Sequence, residues 1–183
     1  MRNELDYSPL VFAAANETEF KRVAGEVAVA WRAQAPTRLV VGLDGPLGAG
    51  KTTWVRGMLE GLGHDGRVPS PTYTMLEYYE LNELTFVHLD LYRLSGEGPA
   101  GGEGGAEFEA LGVRDWLERS ATWVFAEWPT RSPQLVAGCD VWVELEFLGD
   151  RQRRVTLAPR LPAGQVVVER LRGASPFDSS YKR

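Results

Sequence analysis

The sequence predicts an α/β fold: one apolar sheet flanked by helices, with an antiparallel β-hairpin inserted, in a single domain over residues 1–183. Three observations predict it. Apolar runs of strand length alternate with amphipathic runs of helix length. A glycine-rich stretch, Gly45–Thr53 (GPLGAGKTT), stands between one such strand and one such helix. The 183 residues, 44% hydrophobic and 25% charged, suit a globular chain with one buried core.

Each element has its own warrant. From Asn16 to about Gln34, Phe20, Val23, Ala24, Val27, Ala28 and Trp31 recur at helical spacing, with Asn16 as cap and Glu19 in the capping-box position. Arg38–Asp44 is a short apolar run of the kind that fills a buried parallel strand. After the glycine stretch, Trp54, Val55, Met58, Leu59 and Leu62 mark one helix face, which Gly63 ends. Tyr73–Leu81 and Leu84–Tyr92, joined by Asn82-Glu83, read as the hairpin. Residues 95–106 (SGEGPAGGEGGA) hold almost nothing to pack and read as a flexible loop, followed by a helix over about 107–119. Thr122–Ala126 is a second buried strand, ending in Glu127-Trp128-Pro129. Asp140–Leu148 alternates Val141, Val143, Leu145 and Phe147 on one face, and Gly149-Asp150 turns it into Val155–Ala158. A short helix near Gln165–Arg172 and a polar tail over about 174–183 complete the reading.

Composition excludes several classes. No apolar run approaches the ~18 residues that span a bilayer, and MRNELDYSPLVF carries acids where a signal peptide has bases. A single cysteine, Cys139, allows no internal disulfide and suits a reducing cytoplasm, where it packs as a small apolar residue. The net charge of -5 argues against a broad nucleic-acid-binding face. Arg151, Arg153 and Arg154 form the one basic cluster and read as a solvated hairpin tip.

Gly45–Thr52 satisfies G-x-x-x-x-G-K-[ST], the P-loop, in the strand–loop–helix context that motif needs, so the sheet is of the P-loop NTPase type. Gly45, Gly48 and Gly50 let successive N–H groups curl inward around an anion, and the helix starting at Lys51 adds the positive end of its dipole. The phosphate-facing amides run from Ala49 to Thr53. Lys51 reaches the β- and γ-phosphates, and the Thr52 hydroxyl ligates Mg²⁺. No Asn/Thr-Lys-x-Asp sequence that would read guanine is present, so the nucleotide expected is ATP.

Such a site also needs an acid at a buried strand end, for the metal or its water. Asp90 ends Leu84–Asp90, with His88 on its face; Glu127 ends Thr122–Glu127. Both lie where ligands sit in open α/β sheets, provided their strands run parallel to Arg38–Asp44. The structural alternative for each is an acid paired with an arginine.

Four motifs in this order, Gly45–Thr53, Ser70-Pro71-Thr72-Tyr73, His88-Leu89-Asp90-Leu91-Tyr92-Arg93 and Phe125-Ala126-Glu127-Trp128-Pro129, resemble the TsaE family from about Glu17 to Leu157. Its members are small bacterial ATPases required to make N6-threonylcarbamoyladenosine on tRNA. The resemblance implies that Ser70 and Thr72 lie on a switch-like segment closing over the γ-phosphate. Read without it, Pro69-Ser70-Pro71 is a restricted segment whose hydroxyls satisfy a turn. The resemblance also makes Asp90 and Glu127 the acids of the metal and water shell, with Trp128 beside them. It implies TsaD and TsaB as protein partners, tRNA met only through that complex, and no membrane. For His88 and Arg93 a packed histidine and a surface ion pair stand beside the functional reading. Pro46 replaces the family's usual Asp, and residues 95–106 lengthen a connection that is normally shorter. Two other classes fit the P-loop: a small-molecule kinase, for which no arginine-rich lid is evident, and a nucleotide-binding module without turnover.

Overall fold

The computed structural model describes residues 7–34, 36–94 and 111–172. Its framework is a seven-stranded sheet in the order β1-β7-β6-β2-β5-β4-β3. The strands are β1 (Leu10–Ala14), β2 (Arg38–Asp44), β3 (Leu76–Leu81), β4 (Leu84–Asp90), β5 (Thr122–Glu127), β6 (Val141–Phe147) and β7 (Arg153–Pro159). The helices are α1 (Glu17–Arg32), α2 (Lys51–Gly61), α3 (Val113–Glu118), α4 (Pro133–Gly138) and α5 (Pro162–Glu169).

Burial explains the order. Every residue of β5 is buried, and β2 is buried from Leu39 to Leu43, so these strands need covering on both faces and lie inside the sheet. β6, β2, β5 and β4 run parallel, while β3, β7 and β1 pair antiparallel at the flanks. One face packs Phe20, Trp31, Trp54, Met58, Trp123 and Phe125 beneath α1 and α2. The other packs Val40, Val87, Leu89, Val124 and Leu135 beneath α3 and α4.

Local sequence sets the ends. The Asn16 side chain accepts from Glu19 N–H at 3.0 Å, so α1 starts at its predicted cap, while the Glu19 carboxylate reaches back one residue further, accepting from Ala15 N–H at 2.7 Å. Gly63 follows α2 at φ 89°. α1 and α2 approach closely because α2 has no side chain at Gly57, where a Cβ would lie 2.5 Å from the Lys21 carbonyl oxygen.

Several elements differ from the sequence reading. β1 has no counterpart in the sequence pattern: its five residues alternate between buried and more exposed over too short a run, and its ladder comes from distant β7. Asn82 and Glu83 do join antiparallel β3 and β4, but β4 is an interior strand paired to β5, which leaves only β3 at the margin. α4 is likewise additional to the sequence pattern; Ser132 accepts from Leu135 N–H at 3.4 Å and Pro133 opens its first turn. Of the helix expected over 107–119, residues 111–119 are described, and only Val113–Glu118 is helical there, because Gly112 at φ 63° precedes it. The last helix begins at Pro162 rather than near Gln165, since proline is favoured in a first turn. The loop assigned to 95–106 and the tail assigned to 174–183 lie outside the described residues.

Candidate functional site

The parallel strands all end on one side. There, Glu127 of β5 stands in register with Leu43 of β2 and with Asp90 of β4, so the glycine loop leaving β2 and both acids meet at one sheet edge. A cleft of about 270 Å³ lies between them, lined by Gly48, Lys51, Thr52, Ser70, Asp90, Glu127 and Trp128 among others.

The loop half is built from backbone. Gly45 takes φ 141°, and a Cβ there would overlap the Leu145 carbonyl oxygen, so both conformation and space call for glycine. Gly50, at φ 105°, caps α2 without any side-chain hydrogen bond. The first amides of α2 are therefore left for a guest, with the helix dipole behind them. Lys51 is 5% exposed, and its Nζ donates to the carbonyls of Gly45 at 2.7 Å and Pro46 at 3.0 Å. It also lies 3.8 Å from the centroid of the Trp128 ring, which covers it. Burial pushes the Lys51 ammonium below its usual range, against the pull of Glu127, Asp44 and Asp90 toward the charged form. A buried cation resting on two carbonyls is arranged to receive an anion. Ala49 differs from expectation in one respect: its N–H donates to the Pro46 carbonyl at 3.1 Å and so closes the loop's own turn.

The acid half is built from side chains. Glu127 and Asp90, both 4% exposed, are paired among the described residues with hydroxyls rather than arginines. Glu127 Oε1 accepts from the Thr52 hydroxyl at 2.7 Å and meets His88 Nε2 at 2.8 Å. Asp90 Oδ2 accepts from the Thr72 hydroxyl at 2.7 Å, and Oδ1 from Tyr92 N–H at 3.0 Å. Ser70 links the two acids, 2.9 Å from the Thr72 hydroxyl and 3.5 Å from that of Thr52. One polar chain thus runs from Asp90 through Thr72, Ser70 and Thr52 to Glu127 and His88. Trp128 turns away from β5 at φ 58°, anchored by its N–H to the Leu43 carbonyl at 3.2 Å.

The donor set fits Mg²⁺. Thr52, Asp90 and Glu127 offer hard oxygens, as that ion prefers, but no group of three His, Cys, Asp or Glu side chains forms a metal cage among the described residues. A cation here needs oxygens from its guest as well, as phosphates would supply.

Arg93 is exposed and stacks on Tyr73, 5.3 Å from its ring centroid, outside the cleft. A second cleft, about 430 Å³, adjoins the glycine loop through Gly48, Gly50 and Thr53. Asn16, Thr18, Phe20, Asp150, Arg151 and Arg153 line it, none of them expected from sequence to line a site. Arg153 is no solvated tip residue: its Nε donates to the Ala49 carbonyl at 3.1 Å and its guanidinium lies 4.2 Å from the Phe147 ring centroid. The only sequence signal was the basic cluster itself; its contact partner is over a hundred residues away.

Comparisons with known proteins agree on one family. A family model described as threonylcarbamoyl adenosine biosynthesis protein TsaE matches residues 14–155. A Haemophilus influenzae protein, "tRNA threonylcarbamoyladenosine biosynthesis protein TsaE", is 35% identical over 71% of this chain and 76% of its own. A protein of the same description from Bacillus subtilis is 31% identical over 64% of this chain and 67% of its own. The crystal structure of YdiB, also from Bacillus subtilis, shares the fold at a TM-score of 0.65 and 23% identity, covering 90% of this chain and 94% of that one.

Proposed function

The chain belongs to the TsaE family of threonylcarbamoyl adenosine biosynthesis proteins, and from that premise we propose that it is an Mg²⁺-dependent ATPase acting in this tRNA modification. The observation that supports this reading is the meeting of Lys51, the Thr52 hydroxyl and two buried acids in one cleft.

The residues divide the work. Lys51 would exchange its two carbonyl partners for phosphate oxygens, with Trp128 keeping water from its ammonium. The α2 N-terminus would hold the remaining phosphate charge, and the second cleft has the position and size for the nucleoside end. When bound, Mg²⁺ would neutralise charge developing on the transferred phosphoryl group. Thr52, Asp90 and Glu127 would hold that ion, and the carboxylates would orient the attacking water and accept its proton. Ser70 and Thr72 tie the 70–75 segment to both acids, which suits a segment that rearranges over the γ-phosphate.

The reading includes a place in an assembly. Hydrolysis would reset a complex with TsaD and TsaB in the cytoplasm, with tRNA met only through those proteins. No helix among the described residues is long and apolar enough to cross a membrane. The test is phosphate release from ATP, alone, with TsaB–TsaD, and with candidate small-molecule acceptors. Slow release that TsaB–TsaD accelerate is the expected result. Acceptor-dependent transfer would make the protein a kinase, and tight binding without release would make it a non-hydrolysing module.

A further inference from the structure

We propose that His88 is a positioning residue, whose Nε2–H fixes Glu127 in its working orientation when Thr52 is drawn away to the metal. The inference rests on the ATPase reading and deepens it.

His88 is fully buried in the middle of β4, on the face that carries Phe86 before it and Asp90 after it. Its Nε2 lies 2.8 Å from Glu127 Oε1, while Nδ1 is buried with no hydrogen-bond partner among the described residues. With the carboxylate oxygen as acceptor, we place the ring proton of this contact on Nε2. Nδ1 therefore adds no hydrogen bond to the fold among the described residues. A buried polar atom without a partner costs roughly 1–3 kcal/mol, which an apolar residue in the same slot would avoid. The single hydrogen bond to Glu127 is what a histidine adds there.

Glu127 Oε1 takes both donors, the Thr52 hydroxyl and His88 Nε2. The two are not equivalent. Thr52 sits on the P-loop helix, and its hydroxyl is the one that would turn to Mg²⁺. His88 is fully buried on an interior strand and cannot follow. Once Thr52 leaves, His88 is the remaining donor to Oε1 among the described residues. It would then hold the carboxylate's rotation, leaving Oε2 for the metal or water. Outer partners that orient a ligating carboxylate typically alter metal affinity or activity by about 10- to 100-fold.

The test uses His88→Gln and His88→Met in the full chain. Glutamine places an amide N–H about where Nε2 stands; methionine has nearly the same length and no donor. The expected result is that His88→Met lowers ATP turnover about 10- to 100-fold and raises the Mg²⁺ concentration needed, while metal-free ATP affinity stays within about twofold. His88→Gln should recover most of the turnover, with both melting temperatures close together. An independent readout needs no nucleotide: only two imidazoles exist, His64 and His88, so nitrogen-15 spectra resolve each ring. His88 should carry its proton on Nε2, in a slowly exchanging hydrogen bond that Glu127→Ala abolishes. If His88→Met does not fold, His88→Phe replaces it in every measurement. Equal turnover for parent, Gln and Met variants overturns the positioning role, as does a ring whose only proton is on Nδ1. If the parent itself neither binds nor hydrolyses ATP, the ATPase reading has failed and this inference falls with it. Those two failures are therefore told apart by the parent.

Discussion

Across one cleft, Gly45–Thr53 and the strand ends Asp90 and Glu127 present contrasting constructions. The loop half is backbone: glycines at positive φ, an uncapped helix start, and a lysine parked on two carbonyls. The acid half is side chains: two carboxylates, three hydroxyls and a histidine in one chain of contacts. Backbone dipoles hold an anion well with little regard to exact side-chain placement. Positioning a metal and a water tolerates far less error, since a misplacement of about 1 Å can cost about 100-fold in rate. The two halves should therefore fail differently.

The largest effect is expected on the acid side. Glu127→Gln and Asp90→Asn should each lower ATP turnover by about 100-fold or more, yet leave ATP affinity within about threefold. Stopped phosphate release beside a fluorescent-nucleotide titration reads both. Loss of affinity as large as the loss of rate would erase the contrast.

On the loop side, Lys51→Ala should weaken ATP binding by about 10- to 150-fold, the value of one charge-assisted hydrogen bond of ~1.5–3 kcal/mol. Unchanged affinity would mean that the buried ammonium serves only its two carbonyls. Gly45→Ala tests the backbone itself. Its φ of 141° and its closeness to the Leu145 carbonyl should cost about 1–3 kcal/mol of stability, seen as a melting temperature lower by several degrees. The smallest effect belongs to Thr72→Val, which deletes one neutral donor to Asp90. A hydrogen bond worth about 1 kcal/mol predicts roughly fivefold slower turnover, with binding unaltered.

The same contrast decides what could be read from sequence. Gly45–Thr53, the α1 cap at Asn16 and the buried runs β2 and β5 are local: each is set by residues within a few positions, and each lay where expected. Asp90 and Glu127 could be nominated as strand ends but not brought together by the residues alone. Their meeting depends on β4, β5 and β2 being parallel neighbours, a property of sheet order. The His88–Glu127 contact spans 39 residues and Arg153–Ala49 spans 104, so no local pattern carries either. β1 escaped notice for a like reason, because its ladder partner β7 is far along the chain.

The division between a holding half and an acting half is tested most directly by one paired measurement. ATP affinity by calorimetry and phosphate release are determined on the same preparations of parent, Lys51→Ala and Glu127→Gln, with saturating Mg²⁺ and with TsaB–TsaD present. The account predicts that Lys51→Ala loses affinity, whereas Glu127→Gln binds like the parent and fails to hydrolyse. Parent-like turnover in Glu127→Gln, or parent-like binding in Lys51→Ala, would contradict it.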